Sequence, residues 1–300
     1  MKNFLSICDA QDEITEILDL ANKFKHGLIK GKPLDGKSLA MIFQKSSTRT
    51  RVSFEVGMYE LGGNALFLSD NDLQMGRGEP VSDTAKVLSR YVDGIMIRAI
   101  EHEDIVEFAS SSTVPIINGL SNLEHPCQVL ADMQTVKEHK GDFNGKFVYV
   151  GDGNNVCNSL LLICAYLGMD IEVASPKIYK PKPEIVEKAK SIAKESDSSV
   201  IITDDVENAV KDADVVYTDV WVSMGDEEEQ AKRMNVLGKY QVNSKLMKLA
   251  NEDAIFMHCL PAIRGEEVTK DVIDGENSVI INQAENRLHA QKAVLCHLLK

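Results

Sequence analysis

The run Gln44-Lys45-Ser46-Ser47-Thr48-Arg49-Thr50-Arg51 places four hydroxyl side chains and two guanidiniums directly behind an apolar stretch, Lys37–Phe43, that reads as a strand. A helical pattern continues through Tyr59. Hydroxyls and free backbone N–H groups at a helix start form an anion cradle, and the helix dipole reinforces it. Arginine adds a planar fork matched to phosphate oxygens. The glycines and the G-K-[ST] ending of a Walker loop are absent, so this is a phosphate site of another kind. Two residues apart on a helix, the arginines diverge by roughly 200°. Arg49, nearer the helix mouth, is the expected ligand, and Arg51 a structural residue.

Five further places are candidates for chemistry. Arg98 closes the strand-like run from Gly94 and is positioned to be a second clamp. His125-Pro126-Cys127-Gln128 opens a helix; proline suits the first helical position and keeps the preceding histidine outside it. His125 then caps the helix with Gln128 one turn in, an imidazole donor for a polarised carbonyl and an amide for an NH₂ group. Gly151-Asp152-Gly153-Asn154-Asn155 follows a strand but lacks the third glycine of a dinucleotide loop, and Asn155 near the helix start suits a carboxylate. Asp219 ends another strand and suits an ammonium group, and Cys259 ends the strand carrying His258-Cys259-Leu260-Pro261.

These residues sit where strands end, which is where open α/β sheets bind ligands. Short apolar runs alternate with amphipathic helical ones, implying an α/β protein with mainly parallel sheets flanked by helices. One strand series is Lys37–Phe43, Ala65–Ser69, Gly94–Ala99 and Val114–Ile117. A second is Lys146–Gly151, Ile171–Ser175, Val200–Thr203, Val215–Val220, Ala254–Leu260 and Ser278–Asn282. Three hundred residues suit two domains, divided here as 1–138, 139–283 and a C-terminal helix, 284–300, packing back on the first.

Composition narrows the partners. Lys+Arg 33 against Asp+Glu 46 gives −13, a surface that repels nucleic acid and anionic membranes. No apolar run reaches the roughly 18 residues of a membrane span, and the N-terminus is acidic and amphipathic, so a cytoplasmic protein is expected. None of the six cysteines forms C-x-x-C, so a zinc ribbon or thioredoxin-like site has no support.

S-S-T-R-T-R, H-P-C-Q, D-V-W-V-S-M-G, H-C-L-P and Asn286-Arg287 occur in an order that resembles the aspartate/ornithine transcarbamylase family, from about residue 30 to the C-terminus. The resemblance implies a carbamoyl phosphate domain followed by an amino-acid domain, with no cofactor. It implies that Ser47, Thr48, Arg49, Thr50, Arg98, His125, Pro126, Cys127, Gln128, Cys259, Leu260 and Arg287 contact carbamoyl phosphate. Arg49, Arg98, His125, Gln128, Cys259 and Arg287 are the expected catalytic set. Gln74 matches a position that reaches the site from a neighbouring subunit of a homotrimer, and Asn155, Asp219, Ser223 and Met224 match ornithine-binding positions. Aspartate-specific relatives read H-P-L-P where this chain has His258-Cys259-Leu260-Pro261, and relatives using putrescine or N-acylated ornithine typically lack the S-M-G loop. The implied activity is carbamoyl transfer to the side-chain amine of L-ornithine, giving L-citrulline for arginine biosynthesis. Ser46 stands where many relatives carry Asp, which removes no ligand. Two rival readings exist: a nicotinamide oxidoreductase, which leaves the Ser47–Arg51 cradle unexplained, and a catalytically silent binding protein of the same fold.

Overall fold

A computed structural model describes residues 1–70, 73, 78–222 and 230–300. The expectations for Gln74, Ser223 and Met224 lie outside the described residues. The chain forms two compact units, residues 1–134 with 285–300 and residues 135–284.

The first unit is built on a parallel sheet of order β2-β1-β3-β4, from β1 (Ser38–Phe43), β2 (Asn64–Ser69), β3 (Gly94–Arg98) and β4 (Ile116–Leu120). Strands β1 and β3 are central, and their Leu39-Ala40-Met41-Ile42 and Ile95-Met96-Ile97 runs are buried on both faces. Such continuous apolar runs are the mark of a covered parallel sheet. The helices are α1 (Ile14–Lys25), α2 (Thr48–Glu60), α3 (Val81–Leu88), α4 (His102–Ser111) and α5 (Pro126–Lys140), the last running into the second unit. The final helix, α12 (Ile280–Leu299), belongs to this unit from Glu285 onward. It is fastened by Lys25 Nζ to Asn286 Oδ1 (2.8 Å) and Lys292 Nζ to Glu60 Oε2 (2.6 Å). Gly57 lets α2 approach it closely, since a Cβ there would meet Lys292, Leu288 and Leu295.

The second unit holds a parallel sheet of order β7-β6-β5-β8-β9, from β5 (Lys146–Val150), β6 (Asp170–Ala174), β7 (Val200–Thr203), β8 (Val215–Thr218) and β9 (Ile255–His258). Its helices are α6 (Asn155–Leu167), α7 (Pro183–Glu195), α8 (Val206–Val210), α9 (Gln230–Leu237), α10 (Ser244–Met247) and α11 (Lys270–Ile273). The α6 helix is nearly all apolar and buried, begins at an Asn154 cap and ends at Gly168, whose φ of 71° suits the left-handed closing turn.

The segment Ser278–Asn282 is not a strand. Only Ser278 bridges Phe256, after which the chain turns into α12 at Ile280. The β-branched run Val279-Ile280-Ile281 fits either period, and helical phase buries Ile280 while turning Ile281 outward. The same phase brings the Gln283 amide to His258 N–H (2.9 Å) and Tyr217 OH (3.2 Å). Strand β4 lies two to three residues later than expected. Pro115 has no N–H for the ladder, and the strand extends instead to Leu120, where Phe4 bridges Ile117.

Candidate active site

Each sheet reverses its winding once, between β1 and β3 in the first unit and between β5 and β8 in the second. The crevice outside the carboxyl ends of such a strand pair is the usual ligand position. Ser47–Thr50 and Arg98 follow β1 and β3; Asn155 and Asp219 follow β5 and β8.

In the first unit Ser47 is the N-cap of α2, with extended backbone and Oγ accepting from the Thr50 N–H at 3.2 Å. Thr48 is exposed at the first helical position, Arg49 is half-buried and Thr50 is buried. Arg51 turns away: its guanidinium lies 3.7 Å from the Phe67 ring centroid and bonds Glu55 at 2.9 Å. Arg98, buried, ends β3 at a register shift against β4, the kind of irregularity that re-aims a side chain.

His125 precedes α5, and its carbonyl accepts from Gln128 N–H at 3.0 Å. The Gln128 amide nitrogen donates to Asp132 Oδ1 (2.8 Å), and its oxygen accepts from Arg287 Nη1 (2.7 Å). Arg287 Nη2 also donates to Thr50 Oγ1 (3.1 Å). With the Gln291 amide turned to satisfy its neighbours, its oxygen accepts from Arg287 Nη2 (3.0 Å) and Nε (3.2 Å) and its nitrogen donates to Ser53 Oγ. Ser53 in turn donates to the Arg49 carbonyl at 2.6 Å. Cys127 points elsewhere, toward the Asn118 carbonyl at 3.5 Å, and burial pushes its thiol up to about 12.

His125 is buried, and burial together with the charges of Arg287, Arg98 and Arg49 holds its imidazole well below the ordinary value of 6.5. A neutral imidazole set among three guanidiniums, inside a protein of net charge −13, can donate a hydrogen bond beside a concentrated positive charge.

In the second unit Asn155 opens α6, and its side-chain oxygen accepts from Val156 N–H at 2.9 Å. Asp219, buried after β8, accepts at Oδ1 from Val220 N–H (2.8 Å) and from Cys259 Sγ (3.0 Å). Leu260 has a φ of 59° and donates its N–H to His258 Nδ1 at 2.9 Å. Asp219, His258 and Cys259 offer ligand atoms within 4.8 Å of one another, the grouping among described residues that comes nearest a metal site. Both nitrogens of His258 are committed, however, Nδ1 to Leu260 and Nε2 to buried Glu267 at 3.1 Å. The trio therefore reads as a hydrogen-bonded array rather than an ion cage.

Of the expected carbamoyl phosphate residues, the first unit holds Ser47 to Thr50, Arg98, His125 to Gln128 and Arg287, whereas Cys259 and Leu260 belong to the second. Sequence reasoning overlooked Asp132, Gln291 and Asn154. The first two stand one helical turn after Gln128 and Arg287, a spacing of four that could have exposed them.

A family profile described as the carbamoyl-P binding domain of aspartate/ornithine carbamoyltransferase matches residues 2–138, and one described as its Asp/Orn binding domain matches residues 144–298. The chain is 64% identical to an ornithine carbamoyltransferase of Methanobrevibacter smithii, with all of both chains covered. It is 61% identical to the protein of that name from Methanothermobacter thermautotrophicus, over 100% of this chain and 99% of the other. The solved ornithine carbamoyltransferase of Pyrococcus furiosus superposes with a TM-score of 0.96 at 53% identity, covering 99% of this chain and 97% of that one. With both domain profiles matched in order and full-length relatives well above half identical, the chain belongs to the aspartate/ornithine carbamoyltransferase family.

Proposed function

We propose that the protein transfers the carbamoyl group of carbamoyl phosphate to the δ-amine of L-ornithine, giving L-citrulline and phosphate. The observation that carries this is the neutral, buried His125 among Arg49, Arg98 and Arg287. Arg49, Arg98 and the α2 mouth bind the phosphate. His125 and Arg287, with Thr50 beside it, donate to the carbonyl oxygen, and the Gln128 oxygen accepts from the carbamoyl NH₂. Asp219 and Asn155 hold the α-amino and α-carboxyl groups, a role shared with Ser223 and Met224, and the family resemblance gives Cys259 and Leu260 as contacts of carbamoyl phosphate.

The free-base amine attacks the carbonyl carbon, and a C–N bond forms as the carbonyl becomes an oxyanion. The carbon–oxygen bond to phosphate then breaks, and the departing phosphate takes the proton that the amine loses. Donors preorganised for the oxyanion lower this barrier by far more than they strengthen substrate binding. The donor is already activated, so no covalent enzyme intermediate is required. The same proposal assigns the reaction to arginine biosynthesis in the cytoplasm. No described helix is long and apolar enough to cross a membrane.

Assembly as a homotrimer, with Gln74 completing a neighbour's site, is part of the same proposal. It is supported by Val52, Val56 and Tyr59, which share a face of α2 and are 50%, 37% and 80% exposed, and by half-exposed Leu66 on edge strand β2. Arg49→Ala and Gln74→Ala proteins, each inactive alone, should regain partial activity in hybrids, because one interface then carries neither lesion. The reaction itself is tested by measuring citrulline and phosphate with ornithine, aspartate, putrescine, lysine and N-acetylornithine. Ornithine should far exceed the rest, and equal rates with putrescine would overturn the reading.

A further inference from the structure

Asn154 does two things at once. Its side-chain oxygen accepts from Val156 N–H (3.0 Å) and Cys157 N–H (3.1 Å), which makes it the N-cap of α6. With the oxygen so occupied, the amide nitrogen must face the other way, and it donates to Asp219 Oδ2 at 2.7 Å. The Tyr149 hydroxyl, buried, packs 3.3 Å from the same amide oxygen while donating to the Asp152 carbonyl at 2.8 Å. Asp219 Oδ1 is left to Val220 N–H and Cys259 Sγ. Donors on both oxygens fix a buried carboxylate in one rotamer and satisfy its lone pairs.

We propose that Asn154 is a positioning residue for the amine substrate, clamping Oδ2 of Asp219 so that its charge and direction are set before ornithine arrives. This rests on the ornithine reading given above. The cap alone would be served by any short side chain with an acceptor oxygen. Only an amide of this length both caps and reaches the carboxylate with an N–H.

Two variants separate the functions. Asn154→Ser keeps a cap acceptor and removes the N–H that reaches Asp219. It should melt with the wild type and keep its KM for carbamoyl phosphate, while its KM for ornithine rises roughly tenfold or more. Asn154→Asp keeps the cap but sets a second carboxylate against Asp219, and two carboxylates in one site cannot both ionise easily. At acid pH a shared proton replaces the missing N–H, so the variant-to-wild-type ratio of ornithine KM should start near one and climb as pH rises. A purely structural role for Asn154 gives a ratio that does not vary with pH. An unshifted ornithine KM in a serine variant that melts normally, or a flat ratio for the aspartate variant, would overturn the proposal. Wild-type protein assayed alongside keeps the failures apart, because no citrulline from the wild type overturns the ornithine reading itself.

Discussion

Arg287 and Gln128, 159 residues apart in sequence, meet through a 2.7 Å hydrogen bond from Nη1 to the side-chain amide oxygen. The bond ties the returning C-terminal helix to the mouth of α5, and Arg287 also donates from Nη2 to Thr50 and from Nη2 and Nε to Gln291, four of its five N–H groups. A guanidinium held at three points costs little entropy when it meets a developing oxyanion.

Arg287→Lys should therefore behave as a drastic change. The ammonium cannot reach Gln128, Thr50 and Gln291 together, and kcat should fall on the order of 10²–10³-fold. Steady-state kinetics check this, and a loss of less than threefold would show that the fork does not act on the reacting carbonyl.

His125 makes a pH prediction whose sign is fixed. Its folded-state pKa lies well below 6.5, so as pH falls past that value the unfolded chain takes up a proton that the folded chain refuses. The native state is penalised increasingly until the folded imidazole also protonates, and above 6.5 the penalty is absent. His125→Gln should flatten the acid side of the Tm–pH curve relative to the wild type. His289, whose pKa is also lowered by burial, remains in both proteins and cancels from the difference. Parallel curves would mean that His125 is not held neutral.

Arg49 and Arg51 should separate cleanly. Arg49→Ala should abolish most phosphate binding and turnover. Arg51→Ala should leave activity intact and lower stability by about 1 kcal/mol, the sum of an exposed ion pair and a ring contact. Loss of activity in Arg51→Ala at unchanged Tm would contradict the directions seen at α2.

Much of this was legible in the sequence because it depends on local order. The strand–hydroxyl–arginine run and the His-Pro helix start are contiguous, and the apolar β1 and β3 runs are long enough to be read directly. Arg287 was reached only through a family motif, since nothing near it in sequence says what it faces, and Cys259 was legible as a strand end while its substrate contact came from the resemblance. Asp132 and Gln291 act through residues one turn away, and Asn154 stood in the sequence only as a replacement for the third glycine of a dinucleotide loop, with nothing local to show that it meets Asp219. Ser278–Asn282 failed because a short β-branched run carries no period of its own, and its helical phase is set by Gln283 meeting His258 and Tyr217.

Asp219→Asn should raise the KM for ornithine by the loss of a charge-assisted contact, about 1.5–3 kcal/mol. It should also change the alkylation rate of Cys259, whose Sγ lies 3.0 Å from the carboxylate. Both substrates together should protect that thiol, and Cys259→Ser should retain measurable activity. A kinetically normal Asp219→Asn enzyme would reduce Asp219 to a structural acid.

The central claim is direct carbamoyl transfer from carbamoyl phosphate to ornithine. Carbamoyl phosphate labelled at its carbonyl carbon, incubated with the enzyme and ornithine, follows that atom from donor to product. The label should appear in the ureido carbon of citrulline, one for each phosphate released, with none left on the protein. Phosphate release without labelled citrulline, or label trapped on Cys259 as a carbamoyl adduct, would contradict the account.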